Sequence, residues 1–234
     1  MKRLIISFCC LVAATHAHST PSNSLEVGYS QLNISDLGDL KVKGPQLSVK
    51  SAFPAFYLTG VYRQPTTDMH GFFALEHNQQ SLSGGSNFDI DVDFIELGIG
   101  KMITLSDTSY LNIHGYLSKI SLDVDGHERY THITEDGTVN VVYDEPFSES
   151  DSVNLLTFKV HYRKYIDQFY LEAGIGAESD SSVNIKRVKS EGSETNLILS
   201  AEFGYNFNSQ WATNVRYFNS KDYSITSANI SYNF

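Results

Sequence analysis

Beyond residue 10 the chain contains no cysteine; Cys9 and Cys10 are the only two. Everything downstream must therefore hold together without disulfides, and it offers no thiolate as metal ligand or nucleophile. Long hydrophobic runs are also missing. The one apolar stretch, Leu4 to Ala14, is shorter than the ~20 residues that a membrane-crossing helix needs. Basic charge is in short supply: 17 Lys and Arg stand against 27 Asp and Glu, a formal net charge of −10. Nucleic acids and anionic lipid surfaces select basic patches, so that balance argues against both as partners. No sustained helical period follows the apolar run, which argues against a helical domain.

What is present begins with the leader. Lys2 and Arg3 precede the apolar run, and Thr15-His16-Ala17 places small residues where a signal peptidase reads. The expectation is a cleaved signal peptide over 1–17 and one exported domain over 18–234. Phe8 stands where a lipobox needs a small residue, so lipid anchoring through either cysteine is not expected.

The rest of the chain repeats one pattern: segments of about ten residues that alternate apolar with polar or small side chains, the period of a β-strand. Ten strands are predicted, at 24–33, 45–53, 55–64, 87–104, 109–122, 153–166, 169–179, 195–207, 211–219 and 224–234. Connections alternate in length. Short ones fall at Phe53-Pro54, Ser106 to Thr108, Asp167-Gln168 and Asn208 to Gln210; longer ones cover 34–44, 65–86, 123–152 and 180–194, with 220–223 modest. A water-soluble sandwich would bury the apolar face, whereas a transmembrane barrel turns it outward to lipid.

Hairpin registers choose between them. A two-residue turn at Asp167-Gln168 sets Leu156, Phe158, Val160, Tyr162 and Ile166 against Phe169, Leu171, Ala173, Ile175 and Ala177 on one face, with Arg163 opposite Glu172 on the other. A three-residue turn at 208–210 sets Glu202 opposite Arg216. A slip of one residue would move these charges onto the lipid face, at about 2–4 kcal/mol per basic residue at mid-membrane. Phe53, Phe56, Tyr110, Tyr165, Phe169, Phe207, Trp211, Tyr232 and Phe234 gather at the short-turn end, the place of an aromatic girdle. The expected fold is all-β: a transmembrane antiparallel up-and-down β-barrel of ten strands, with eight as the alternative.

"FYLTGVY" (56–62), "FIELGIGKMI" (94–103), "FYLEAGIGA" (169–177), "AEFGYNF" (201–207) and the terminal "SANISYNF" together resemble the small outer-membrane β-barrels of Gram-negative bacteria, the group with OmpA-, OmpX/Ail- and OmpW-like members. The resemblance implies an outer-membrane location, surrounding lipid and lipopolysaccharide, and a last strand read by the barrel-assembly machinery. Ala228, Ile230, Tyr232 and Phe234 match that assembly signal.

Candidate functional residues fall into three sets. Arg163, Glu172, Glu202, Arg216, Glu96 and Lys159 share the inner face as a lumenal charge network, beside Glu26, Lys50, Arg63, His114 and His161. Asp89, Asp91 and Asp93 in "FDIDVDF" lie on one strand face and could hold a cation, or simply carry the strand into water. Phe94-Ile95 suggests a bulge where that strand changes its facing. "RYTHITEDGTVNVVYDEP" reads as a hairpin that would project as a blade from strands 5 and 6. No catalytic residue, metal or cofactor is expected: the ten-strand omptin proteases need an Asp pair and a His–Asp pair, and "IHG" and "VHYR" lack that dyad. The expected function is a non-enzymatic monomer acting through its extracellular loops, in adhesion to a surface or protein partner or in envelope integrity. The alternatives are a narrow pore for small solutes or ions, and an outer-membrane hydrolase of omptin or lipid-modifying type.

Overall fold

The computed structural model describes residues 23–35, 40–77, 80–133, 138–180 and 195–234; the leader over 1–17 and the connection 181–194 lie outside them. Eleven strand segments follow in order: β1 (Ser24–Ile34), β2 (Leu40–Ala52), β3 (Tyr57–Arg63), β4 (Thr66–His77), β5 (Gln80–Ser106), β6 (Ser109–Ile133), β7 (Val139–Ile166), β8 (Phe169–Asp180), β9 (Thr195–Asn206), β10 (Trp211–Asn219) and β11 (Tyr223–Asn233). All pairings are antiparallel between chain neighbours, and β1 pairs both β2 and β11, so the sheet closes on itself. The ring has ten strands, not eight. β3 and β4 are two stretches of one strand, both paired to β5. Pro65, which cannot donate to a ladder, splits them, while its carbonyl still accepts from Val92 N at 3.0 Å. Gly44 on β2 leaves room for the kink, because a Cβ there would collide with the backbone of Gln64 and Pro65.

Both diagnostic hairpins have the registers that their turns predict. Ile166 pairs Phe169, Arg163 pairs Glu172, and Glu202 pairs Arg216. Asp167, in the tight turn, has φ of 54°, a left-handed conformation that short Asp and Gly side chains tolerate and β-branched ones do not. Asp167→Val should therefore lower stability by about 1–2 kcal/mol, with Asp167→Gly close to wild type, measured by urea unfolding of refolded protein.

The outward face between the turns is an apolar belt. On β7 it runs from Leu156 to Ile166, which at ~3.4 Å per residue and ~40° tilt stands roughly 26 Å tall, matching the ~25 Å band of outer-membrane barrels. At its lower edge Phe53 stacks on Phe56 (4.9 Å between centroids), Trp211 meets Tyr232 (4.9 Å) and Tyr232 meets Phe234 (6.1 Å). Two of the expected girdle members do not belong to it. Tyr110 and Tyr165 line the lumen, as the parity of their strands requires.

Above the belt the polarity of the two faces reverses without any change in the alternation. On β5, Ile99, Leu97 and Ile95 are 55%, 60% and 45% exposed toward lipid, and the next outward residues are Asp93, Asp91 and Asp89. The inward series changes the opposite way, from Gly98 and Glu96 to Phe94 (2% exposed) and Val92 (0%). Phe94-Ile95 therefore marks no bulge; the β5–β6 register is unbroken there and shifts only near Thr104. β6 repeats the swap, with Leu117 outward below Lys119, Asp123 and Asp125, and Ser118 inward below Ile120, Leu122 and Val124. The cause is the solvent. Lipid favours apolar atoms outside, water favours them inside, and each strand passes from one to the other.

The inward apolar residues above this boundary form one cluster. Leu32, Leu40, Val42, Ile90, Val92, Phe94, Leu155, Tyr223 and Ile225 are all buried in it, and Phe218 packs against them. They come from β1, β2, β5, β7 and β11, so contributions from opposite walls meet and seal the outer mouth of the lumen.

The strands do not stop at the seal. β7 has 28 residues, ~90 Å along its length, well over twice what the belt requires. β4 to β7 continue as a four-stranded antiparallel sheet beyond the membrane, paired as far as His77↔Gln80 and Ile133↔Val139. The expected blade is thus present and larger than the sequence indicates. Residues 66–77 and 80–86, read as loop, are strand, and most of 123–152 continues β6 and β7.

Candidate functional site

The lumen beneath the seal collects most of the candidate residues. Glu172 on β8 and Glu202 on β9 stand directly opposite each other, an arrangement that repels unless cations intervene. Arg163 reaches both, with Nε donating to Glu172 at 2.7 Å and Nη2 to Glu202 at 3.3 Å. Arg216 extends the chain of charges: Nε donates to Glu202 (2.5 Å), Nη1 and Nη2 to Glu26 on β1 (2.5 and 2.8 Å). Neutral donors complete the shells, Tyr170 on Glu202 (2.6 Å), Asn112 on Glu172 (3.3 Å) and Asn214 on Glu26 (3.0 Å). Buried charges survive only when paired and hydrogen-bonded in this way. Glycines on the inner face make the space: a Cβ at Gly204 would overlap the Tyr170 ring, and one at Gly174 would overlap His161.

His161 lies against this wall with Nδ1 2.6 Å from Glu172 and Nε2 3.3 Å from Ser200 Oγ. The order Ser–His–Glu imitates a nucleophilic relay. Here Glu172 is already matched by Arg163, and the flanking strands β8 and β9 are each paired on both sides, so their backbone N–H groups face neighbouring strands instead of a reacting carbonyl. The arrangement reads as a strut.

Glu96 and Lys159 face the same lumen and stand outside the network. Lys159 lies over the rings of Tyr116 (4.5 Å) and Phe218 (4.6 Å), and Glu96 accepts from Ser118 at 3.4 Å. On β3 and β6, Tyr57 and Tyr116 hydroxyls each lie within hydrogen-bond distance of His114 Nδ1 (2.8 and 2.7 Å), and Lys50 lies over the Tyr57 ring at 4.6 Å. Between the walls remains a cavity of about 500 Å³.

Asp89, Asp91 and Asp93 are placed elsewhere, in a row up the outer face of β5 above the belt. Asp89 pairs across to Asp125 and Asp91 to Asp123, while Tyr62 donates to Asp93 at 2.8 Å. Among the described residues no group of three or more His, Cys, Asp or Glu converges as a metal site would. Ala228, Ile230 and Tyr232 face outward on β11, with Phe234 exposed just past its end, and the Phe234 amide donates to Asn23 O at 3.0 Å across the closing seam.

Parity along each strand is enough to put Glu26, His161 and Tyr170 inside. Joining Glu26 to Arg216 across the intervening β11 requires the closed ring, which no local pattern reveals.

No protein-family model and no curated protein sequence matches the chain. Its backbone superposes on the outer-membrane protease OmpT from Escherichia coli with a TM-score of 0.56 at 8% identity, covering 94% of this chain and 99% of that one. The fold is that of an outer-membrane β-barrel. Neisserial surface protein A (TM-score 0.40, 12% identity, 93% and 100% covered) and the attachment invasion locus protein Ail of Yersinia pestis (0.33, 13%, 91% and 99%) are further solved structures to which it is similar. With its lipid-facing belt the barrel sits in the outer membrane, the short turns and the Ser24–Asn233 end of the seam on one side and the extended β4–β7 sheet on the other.

Proposed function

We propose that this outer-membrane barrel is a non-enzymatic surface protein that engages extracellular partners through the sheet formed by β4, β5, β6 and β7. The observation that carries the reading is the length of those strands, which double the height of the barrel on one side. A sealed, ion-paired lumen favours this over a pore. On this reading the barrel is a monomer, embedded in outer-membrane lipid and lipopolysaccharide, that presents an acidic outer sheet face carrying Asp89, Asp91, Asp123 and Asp125.

Trimming the sheet tests it. Replacing 68–89 and 125–148 each by Asn-Gly, a two-residue hairpin turn, removes the projection and keeps Ile90 and Val124 in the seal. The trimmed protein should still migrate as a heat-modifiable barrel. Cells carrying it should lose the adherence to immobilised extracellular-matrix proteins, or the autoaggregation, that the full-length protein confers. Equal adherence by trimmed and full-length protein would contradict the proposal.

Phe234 is proposed as the assembly signal. Its deletion removes the outermost belt aromatic and one seam hydrogen bond, so the inserted, heat-modifiable fraction in membranes should fall several-fold, with degradation products in its place. Phe234→Tyr should assemble normally.

A further inference from the structure

The two walls of the lumen are not equivalent. On one, each carboxylate and guanidinium has a partner. Elsewhere on the lumen lining, Lys50 on β2, Arg63 on β3 and Lys159 on β7 have no carboxylate within ion-pair distance among the described residues; each lies over an aromatic ring, Arg63 over Phe94 at 4.7 Å with its Nε donating to Gln46 at 2.9 Å. Lys159 is only 8% exposed, and a buried unpaired ammonium is costly. Arg63 Nη1 and Thr59 Oγ1 are buried without a hydrogen-bond partner. All four residues line the same cavity.

Charge sums point the same way. In a chain of net charge −10, the cavity is lined by five basic residues (Lys50, Arg63, Lys159, Arg163, Arg216) and four acidic ones (Glu26, Glu96, Glu172, Glu202). Its volume, about 500 Å³, lies within the ~300–1,000 Å³ of small-molecule sites, far more than a bare inorganic ion fills. The rings of Tyr57 and Tyr116, seated over Gly100 and Gly98, back the Lys50 and Lys159 ammonium groups at the cavity wall, and the unpartnered Thr59 Oγ1 suits a solute hydroxyl. The lining extends from Tyr110 and Asn206, beside the short turns, to Phe218 and Ile225 under the apolar seal. Among the described residues the apolar cluster covers its outer end, so the short-turn side is the route we infer for a solute.

We propose that the lumen is a blind binding site for a small, hydroxyl-bearing organic anion of the sugar-phosphate or sugar-acid kind, taken up from the periplasmic face. Lys50, Lys159 and Arg63 hold the anionic group, with Tyr57 and Tyr116 backing the two lysines, and Thr59 meets a hydroxyl of the body. The inference is independent of what the outer sheet binds.

Isothermal titration of the full-length refolded protein in detergent micelles tests it, with glucose 6-phosphate and glucuronate as the two anionic probes and glucose as the uncharged one. At least one anion should bind with a stoichiometry of one while glucose does not, and the comparison of the two identifies the anionic group. Lys159→Met and Lys50→Met should each weaken binding at least tenfold, and Lys164→Met, whose ammonium bonds Thr108 and Ser109 outside the cavity, should not. If Lys159→Met fails to fold, Lys50→Met decides. No anion binding at millimolar concentration, equal binding of glucose, or full binding by folded Lys50→Met would each overturn the proposal.

Discussion

Arg216→Met should be the most damaging single substitution in the lumen. It removes the partner of two buried carboxylates, Glu26 and Glu202, and leaves Arg163, at 3.3 Å, as the remaining ion-pair partner of Glu202 among the described residues. Breaking a buried pair while leaving its partner charged costs about 3–5 kcal/mol, and here two partners are stranded. The urea midpoint of the refolded barrel should fall accordingly, or the heat-modifiable form should be lost. The physical cause is separable from lost packing. Adding Glu26→Gln and Glu202→Gln to Arg216→Met removes the stranded charges, and the triple variant should recover most of the lost stability. A triple variant no more stable than Arg216→Met would show that volume, not charge, was decisive.

The second large effect comes from the outer face and tests where the membrane ends. Leu97→Arg places a guanidinium in the lipid belt, at about 2–4 kcal/mol if it lies near the midplane. Asp91→Arg, six residues away on the same face of the same strand, should cost nothing measurable, because that position is in water. It should even relieve the repulsion between Asp91 and its cross-strand neighbour Asp123. Equal penalties at the two positions would place the boundary elsewhere. The chain lends itself to a parallel readout: with no cysteine after residue 10, single cysteines at 91 and 97 report separately to a membrane-impermeant maleimide on intact cells.

That boundary also explains which parts of the fold were legible. The hairpins 153–179 and 195–219 could be read to the residue because lipid and lumen impose opposite preferences on their two faces, and a slip would expose Arg163 or Arg216 to lipid. Above the membrane those preferences exchange sides. Residues 87–97 read inconsistently for that reason: Ile90 and Val92 look like an outward face and Leu97 like another of opposite parity, and Phe94-Ile95 is where solvent, not register, changes. β4 was invisible because "TTDMHGFFALEH" has neither a lipid-facing stripe nor clean alternation; its strand conformation is imposed by pairing along β5. The turn signal Glu135-Asp136-Gly137 announced the hairpin whose strands pair Ile133 with Val139; residues 134–137 themselves lie outside the described ones. In the lumen, the pairs on adjacent strands were readable, whereas the Tyr57–His114–Tyr116 cluster draws on β3 and β6 with β5 between them and emerges only when the ring is formed.

The seal is the feature on which the proposed division of labour depends, because a barrel closed at its outer mouth must work through what stands above it. Planar-bilayer recording of the refolded full-length protein measures closure directly. The wild type should give no stable single-channel steps, and Val92→Gly combined with Phe94→Gly, which removes two of the most deeply buried members of the cluster, should introduce them. Stable, uniform steps from the wild type, shifted in ion selectivity by Arg216→Ala, would contradict a sealed barrel and reassign the lumen to transport.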